Sequence, residues 1–200
     1  MKKSAKFKGL LIILSGPSGS GKSTLLNRLV ADQFFKKSLF KSISYTTRPQ
    51  RSGEKDKKDY FFLSQREFRR FNSEKKILEW TRYLGYYYGT PRGFLEAQLK
   101  KGNDIIMCLD LKGALKLKKI YPENTLTIFI LPPSIGELGA RIRRRCLKTC
   151  ASEIKKRLSL AKKELEAAQE YDYCLANKEI DKATSKLKGI ILKEKLLRNK

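Results

Sequence analysis

The chain of 200 residues contains no histidine. Its absence excludes Ser-His-Asp and Cys-His nucleophilic schemes and removes the commonest general base. Chemistry run here must do without one. Phosphoryl transfer to a phosphate oxygen meets that condition, because positioning and electrostatics do most of the work. Acidic side chains are scarce as well: 20 Asp and Glu against 45 Lys and Arg leave a formal charge of +25. Such a surface attracts polyanions without choosing among nucleotides, RNA, DNA or anionic membrane. The four cysteines, Cys108, Cys146, Cys150 and Cys174, form no C-x-x-C pair, which with the missing histidine excludes the usual zinc sites. Cys146 and Cys150 are four apart and can share a helix face, but two more ligands would have to come from elsewhere. No apolar run approaches the ~20 residues of a membrane span. The longest, Leu10–Leu14, has the length of a strand. Lys2, Lys3, Lys6 and Lys8 before it resemble the start of a signal peptide, yet the apolar part is too short and leads into Gly16 rather than a cleavage site. A cytoplasmic protein without a membrane segment is expected.

Hydrophobic residues make up 40% and aromatics 10%, enough for a folded core in one domain with insertions. After a basic tail (1–8), Leu10–Leu14 reads as a buried strand of a parallel sheet. An amphipathic helix over Lys22–Ala31 follows, with Leu25, Leu26, Leu29 and Val30 as its apolar side. From Phe40 to Leu63 the texture changes to short segments rich in Tyr, Thr and Phe, predicting a β-rich insertion. A short helix is expected over Gln65–Phe71, a short strand over Ile77–Thr81 and a helix over Pro91–Lys101. Buried strands are expected over Ile105–Leu109 and Thr125–Leu131, with a helix over Ala114–Ile120 between them. A long helical stretch runs from Ser134 to about Glu170, then a short strand over Tyr173–Ala176 and a helix over Ile180–Leu197. Strands alternating with helices predict an α/β fold with a parallel sheet.

Gly16-Pro17-Ser18-Gly19-Ser20-Gly21-Lys22-Ser23 matches G-x-x-x-x-G-K-[ST] at every fixed place, after a buried strand and at the mouth of a helix. Glycines let the backbone curl so that N–H groups converge, and the helix N-terminus adds a field favourable to anions. The motif predicts ATP binding over Gly16–Thr24. Lys22 is expected on the β- and γ-phosphates and the Ser23 hydroxyl on Mg²⁺.

A nucleoside triphosphate site does not name the acceptor. The second cluster does more: Ser44-Tyr45-Thr46-Thr47-Arg48, Arg51-Ser52-Gly53-Glu54, Asp59-Tyr60-Phe61-Phe62, Glu79-Trp80, Gly85 through Tyr88-Gly89-Thr90, and Leu109-Asp110. In this order and spacing these segments resemble guanylate kinase, from about Gly9 to the last helix. The resemblance implies a three-layer P-loop NTPase core (9–41, 97–135 and 168–200), a β-rich GMP-binding insertion (42–96) and a helical lid (136–167). It implies a Mg²⁺-dependent transfer from ATP to GMP. Arg48, Arg51, Tyr60 and Tyr88 would hold the phosphate of GMP, a task for which the guanidinium fork is suited. Glu79 and Asp110 would accept from guanine's ring N–H and amine, and Ser44 and Thr90 would donate to its carbonyl. Adenine presents the opposite pattern, so a site with buried partners left unpaired rejects AMP.

On the arginine-rich stretch, Arg141, Arg145 and Arg157 fall on the family's lid positions and would meet the triphosphate. Arg143 and Arg144 read as a solvated face. Asn177 matches an asparagine near the adenine of ATP. Some positions depart from the family's usual residues. Cys108 stands where an aspartate normally helps order water around Mg²⁺, Lys112 replaces a glutamine, Cys146 replaces the glycine after Arg145, and Gln50 replaces a proline before Arg51. Beyond ATP and GMP, dGMP is a candidate acceptor. No specific nucleic acid is expected, and either a monomer or a homodimer is compatible. Two other classes share some of these features: a non-catalytic guanylate-kinase-like module that binds phosphopeptides, and a basic nucleic-acid-binding protein.

Overall fold

The computed structural model describes residues 7–145 and 151–198. Every residue of β1 (Leu11–Ser15) is buried, and β7 (Asp104–Cys108) and β8 (Thr125–Leu131) are buried up to their last residue. Strands covered on both faces read as such unbroken apolar runs. With β2 (Leu39–Lys41) and β9 (Tyr173–Ala176) they form a five-stranded sheet in the order β2-β7-β1-β8-β9. β2 pairs with β7 in parallel, Leu39 opposite Asp104, and β8 pairs with β9 in parallel, Ile128 opposite Tyr173. Phe40 therefore belongs to the parallel sheet, and the change to β-rich texture begins after Lys41 rather than at Phe40.

Four shorter strands build a second, mixed sheet: β3 (Tyr45–Thr46), β4 (Phe61–Phe62), β5 (Ile77–Tyr83) and β6 (Tyr86–Pro91), in the order β4-β3-β6-β5. β5 and β6 form an antiparallel hairpin with Tyr83 opposite Tyr86. Its two turn residues, Leu84 and Gly85, both have positive φ, 49° and 89°, as the tight hairpin turn that matches strand twist requires. Only Ile77–Thr81 of this hairpin is expected from the sequence. The tyrosine run of β6 alternates too weakly in polarity to announce a strand.

The chain forms two compact units. One comprises the segment up to Leu11, Ser38–Met107 and Lys112–Thr125 and contains the mixed sheet. There α2 (Gln65–Ser73) starts at a reciprocal cap, in which Ser64 Oγ accepts from the Glu67 N–H and the Glu67 carboxylate accepts from the Ser64 N–H. Rings do much of the packing: Tyr45 meets Phe61 and Phe71 at 5.5 and 5.2 Å, and Phe68 stacks on Tyr87 at 5.4 Å. They leave no room beside Gly89, where a Cβ would stand 2.9 Å from Ile77 and 3.0 Å from Phe68. α3 (Arg92–Lys100) follows, burying Leu95 and Leu99.

The other unit comprises Ile12–Lys37, Cys108–Leu111 and the chain from Leu126 onward. It contains α1 (Lys22–Ala31), as expected, and α7 (Ile180–Arg198). These two helices are tied by Lys188 to Asp32 at 2.9 Å and by Arg28 to Asp181. α4 (Leu111–Ile120) starts three residues before the predicted helix. The long helical stretch expected from Ser134 to about Glu170 comprises α5 (Ile135–Arg145), α6 (Ala151–Glu166) and a 3₁₀ turn (Ala167–Glu170), with Cys146 and Cys150 outside the described residues. Leu138, Ile142 and Ala161 form the buried seam of α5 and α6, flanked by Ile154 and Leu158. Among the described residues no helix is long and apolar enough to cross a membrane.

Candidate active site

The loop between β1 and α1 is held from several sides. Gly21 has φ 97° and precedes the first helical residue, and a Cβ there would stand 2.2 Å from Asn177 Nδ2. That amide donates to Ser20 O at 2.8 Å, and the Asn177 N–H donates to Leu131 O at 2.9 Å. The asparagine expected near adenine is thus also a brace of the loop, buried to 4% exposure. Lys22 Nζ donates to Gly16 O (2.5 Å) and Pro17 O (2.9 Å), so the ammonium lies along the loop it follows. Arg141 reaches the loop from α5, donating from Nη1 to Gly19 O at 3.2 Å while pairing with Glu137. Ser18 is half-buried, Ser20 is buried, and Ser23 and Thr24 are exposed on the first turn of α1.

Beside this loop lies a cavity of about 450 Å³ lined by Gly19, Gly21, Thr24, Asn177, Ile180 and four cations, Arg28, Arg141, Arg144 and Lys178. No carboxylate shares its lining, so the chemistry it suits is a polyanion with an apolar end. Arg144, expected on a solvated face, lines this cavity. Arg157 is half-buried on α6, and the Arg145 side chain lies outside the described residues.

Three further groups interact near Lys22. Burial raises the Glu164 carboxyl to about 7, with the Lys22 ammonium opposing the shift and Asp110 adding to it. Glu164 Oε2 is buried and has no hydrogen-bond partner among the described residues. Burial likewise pushes the Tyr171 hydroxyl up to about 12, against a hydrogen bond with Ser15, with Asp110 and Glu164 adding to it. Asp110 follows β7 and is half-buried, as is Cys108 at the end of that strand. Glu164 was missed in the sequence because a Glu on a Lys-rich helix reads as a solvated face. Only burial distinguishes it.

In the other unit the mixed sheet presents the second cluster. Arg48 is 7% exposed. Its Nη2 donates to both oxygens of Glu54 (2.8 and 3.0 Å), its Nη1 to Pro49 O (2.7 Å) and its Nε to Tyr88 Oη (3.2 Å). The guanidinium carbon sits 5.4 Å from the centroid of Tyr60, whose ring meets that of Tyr88 at 5.9 Å. Burial alone would lower the Arg48 pKa, but its bonds to Glu54 and the nearby Tyr88 outweigh that and raise it. Arg48, Tyr60 and Tyr88, more than ten residues apart in sequence, are thus brought together. Arg51 contributes its N–H to Glu54 at 2.9 Å, while its side chain is exposed.

Glu79 and Thr90 form a second buried pair, 2% and 0% exposed, in which Thr90 Oγ1 donates to Glu79 Oε1 at 2.5 Å. A hydroxyl has one hydrogen to give, and here it goes to the carboxylate, so donation by Thr90 to a guanine carbonyl would require that hydroxyl to turn. Ser44 is half-buried beside this sheet, its carbonyl accepting from the Phe61 N–H. Glu54, to which the sequence reading assigned no role, touches both Arg48 and the Arg51 main chain. Its place in the R-x-G-E segment was the available signal.

The guanylate kinase family model matches residues 8–194. Among curated relatives, the guanylate kinase of Caldanaerobacter subterraneus subsp. tengcongensis is 45% identical over 192 residues, covering 96% of this chain and 91% of that protein. The guanylate kinase of Bacillus subtilis is 42% identical over 195 residues, covering 98% and 94%. Among solved structures, the guanylate kinase from Anaplasma phagocytophilum has a TM-score of 0.77 at 34% identity, covering 94% of this chain and 86% of that one.

Proposed function

The chain belongs to the guanylate kinase family, and from that premise we propose how its own residues divide the work. Its reaction is the transfer of the γ-phosphoryl group of ATP to GMP, giving ADP and GDP.

The loop from Gly16 to Ser23 and the N-terminus of α1 receive the β- and γ-phosphates, with Thr24 extending the contact. Lys22 exchanges its loop carbonyls for phosphate oxygens and neutralises the charge that develops during transfer. Arg141, with Arg144 from the same cavity lining, supplies further cations; Arg145 and Arg157 belong to the same group by family position. The cavity beside Asn177 takes the nucleoside end of ATP. Residues 136–167 serve as the lid and 42–96 as the acceptor-binding insertion of the 9–200 domain. Their closure excludes water, which would otherwise compete as nucleophile.

Magnesium fits the donors at hand. Ser23 offers an exposed hydroxyl oxygen at the first turn of α1, and among the described residues no group of three His, Cys, Asp or Glu forms a cage for a metal. A hard cation that keeps its waters and takes its remaining oxygens from substrate phosphates suits such a site. When bound, Mg²⁺ would spread the charge of the β- and γ-phosphates; Ser23 would hold it.

Arg48 presents its guanidinium to the phosphate of GMP, joined by Arg51 and the hydroxyls of Tyr60 and Tyr88. A GMP phosphate oxygen, charged at neutral pH, attacks in line without a general base. Glu79, braced by Thr90, accepts from guanine N1–H and the exocyclic amine. Asp110 shares that task, and Ser44 donates to the carbonyl.

The observation that carries this reading is the buried Arg48, fixed from three sides within a sheet that also buries the Glu79–Thr90 pair. A burial this costly is the mark of a site built for an anion and a base edge. The test is ADP formation with GMP, dGMP, AMP and UMP as acceptors. Turnover confined to the guanine nucleotides supports it, and equal turnover with AMP would refute the assignment of Glu79.

A further inference from the structure

We propose that Glu54 is a positioning residue for the acceptor, its carboxylate fixing the Arg48 guanidinium and the Arg51 main chain in the orientation that receives the acceptor's phosphate. The proposal rests on the reading of Arg48 and Arg51 as phosphate ligands and goes one residue beyond it.

Glu54 divides its two oxygens between those positions. Oε1 accepts from Arg48 Nη2 at 2.8 Å, and Oε2 accepts both from Arg48 Nη2 at 3.0 Å and from the Arg51 N–H at 2.9 Å. Its own backbone is held in turn. The Glu54 N–H donates to Arg51 O at 3.1 Å, closing a four-residue turn through Gly53, and Gln50 Nε2 donates to Glu54 O. A single carboxylate therefore links the two arginine positions through a closed loop of hydrogen bonds. With side-chain exposures of 7% for Arg48 and 20% for Glu54, the pair is mostly withdrawn from water. A surface ion pair is screened, whereas this one resists rearrangement. Burial alone would raise the Glu54 carboxyl, but the bonds from Arg48 and the Arg51 N–H outweigh it and hold it below the ordinary carboxylate value.

Donor arithmetic shows what is left for substrate. A guanidinium has five N–H bonds. Nε is directed to Tyr88, one Nη1 hydrogen to Pro49 O, and Nη2 to Glu54. At least the second Nη1 hydrogen remains, in a plane that Glu54 and Pro49 set. Two effects of Glu54 then oppose each other. Its negative charge repels an incoming phosphate, and its hydrogen bonds hold the fork in one rotamer. Arginine loses much rotamer freedom when fixed, and that cost is met before the substrate arrives. Within the pair the two charges offset each other, weakening the push of Glu54 and the pull of Arg48 alike, and the fixed orientation of the remaining Arg48 N–H is what Glu54 contributes to phosphate binding.

The test compares Glu54→Gln and Glu54→Ala with Arg48→Met in the full-length chain. Glutamine keeps one oxygen, which in the place of Oε2 can still accept from Arg48 Nη2 and the Arg51 N–H, but it sets an NH₂ donor against Arg48 Nη2 where Oε1 accepted and removes the charge, so the loss should be graded. The KM for GMP is expected to rise about tenfold in Glu54→Gln and further in Glu54→Ala, with the KM for ATP changed less than about twofold. In an Arg48→Met background, adding Glu54→Gln should have almost no further effect on the KM for GMP. An unchanged or lowered KM for GMP in both Glu54 variants, with Arg48→Met strongly impaired, overturns the proposal and leaves the Arg48 reading standing. An unimpaired Arg48→Met overturns that reading, and the proposal with it. ¹⁵N NMR of the unmodified protein gives a check independent of variant folding. Restricted rotation of the Arg48 guanidinium both without and with GMP is expected, and a freely rotating guanidinium without GMP refutes preorganisation by Glu54.

Discussion

The proposed phosphate cradle and the proposed acceptor sheet would both handle anions, but they are built from different material. The cradle is largely main chain: consecutive residues from Gly16 to Ser23, a helix start, and braces such as Asn177 on Ser20 O and Arg141 on Gly19 O. The acceptor sheet is made of side chains delivered by separate strands: Arg48 after β3, Tyr60 before β4, Glu79 on β5, and Tyr88 and Thr90 on β6. A site made of backbone amides depends on conformation and tolerates changes of side chain away from its glycines and lysine. A site made of side chains depends on register, because a one-residue slip of β6 would turn Tyr88 and Thr90 to the opposite face. The two regions should therefore fail differently.

The largest effect is expected where the cradle does use a side chain. Lys22→Ala should lower kcat by about 10³-fold or more, with the KM for GMP nearly unchanged, since the lost charge acts on the transferring group. Steady-state assays varying each substrate check this. A loss seen mainly in the KM for GMP would erase the distinction between the regions. Next, Glu79→Gln leaves a buried Thr90–amide pair in place of a carboxylate and should raise the KM for GMP by about 10- to 100-fold while sparing ATP binding. The ratio of GMP to AMP turnover should fall in parallel.

A packing change tests the sheet without touching its ligands. Gly89→Ala drives a methyl into Ile77 and Phe68, whose atoms lie 2.9 and 3.0 Å from the new Cβ position. It should destabilise the chain by about 1–3 kcal/mol. Thermal melting reads the loss, and ATP affinity at low temperature should stay near wild type if the cradle is independent of this sheet.

The smallest effect concerns pH. Glu164 has its carboxyl raised to about 7 by burial, against 4.5 for the unperturbed group. A folded-state pKa above the unfolded one means that the native state holds the proton longer. The associated stability is fully present below about pH 4.5 and is lost as pH rises through about 7. Glu164→Gln, neutral throughout, should match wild type near pH 4.5 and exceed it by about 1 kcal/mol at pH 8, after allowance for partial solvent screening. The groups that face it, Lys22, Asp110 and Tyr171, stay in place in this variant. Equal melting temperatures for both proteins at pH 8 would refute a buried, strained carboxyl beside Lys22.

Legibility followed the same division of material. The strand Thr125–Leu131, the helix Lys22–Ala31 and the strand Tyr173–Ala176 were read with the boundaries the structure has, because each carries its own periodicity or turn signals. The hairpin was read only in part, since the pairing that makes Tyr86–Pro91 a strand lies in β5 and β3.

Local chemistry alone determined that a buried strand leads into a glycine-rich turn and a helix, and hence that this chain holds phosphate. These properties need only neighbouring residues, whose sterics and dipoles act within a few bonds. Tertiary structure decided which carboxylates are ordinary. In sequence Glu164 is indistinguishable from a solvated glutamate, and Glu54 and Glu79 are marked only by their place in segments that resemble the family. They are set apart by what the fold places against them: an arginine and a main-chain N–H, a threonine hydroxyl, and for Glu164 Oε2 no donor among the described residues. Desolvation is a property of surroundings contributed by distant segments, and for that reason no reading of neighbours along the chain could supply it.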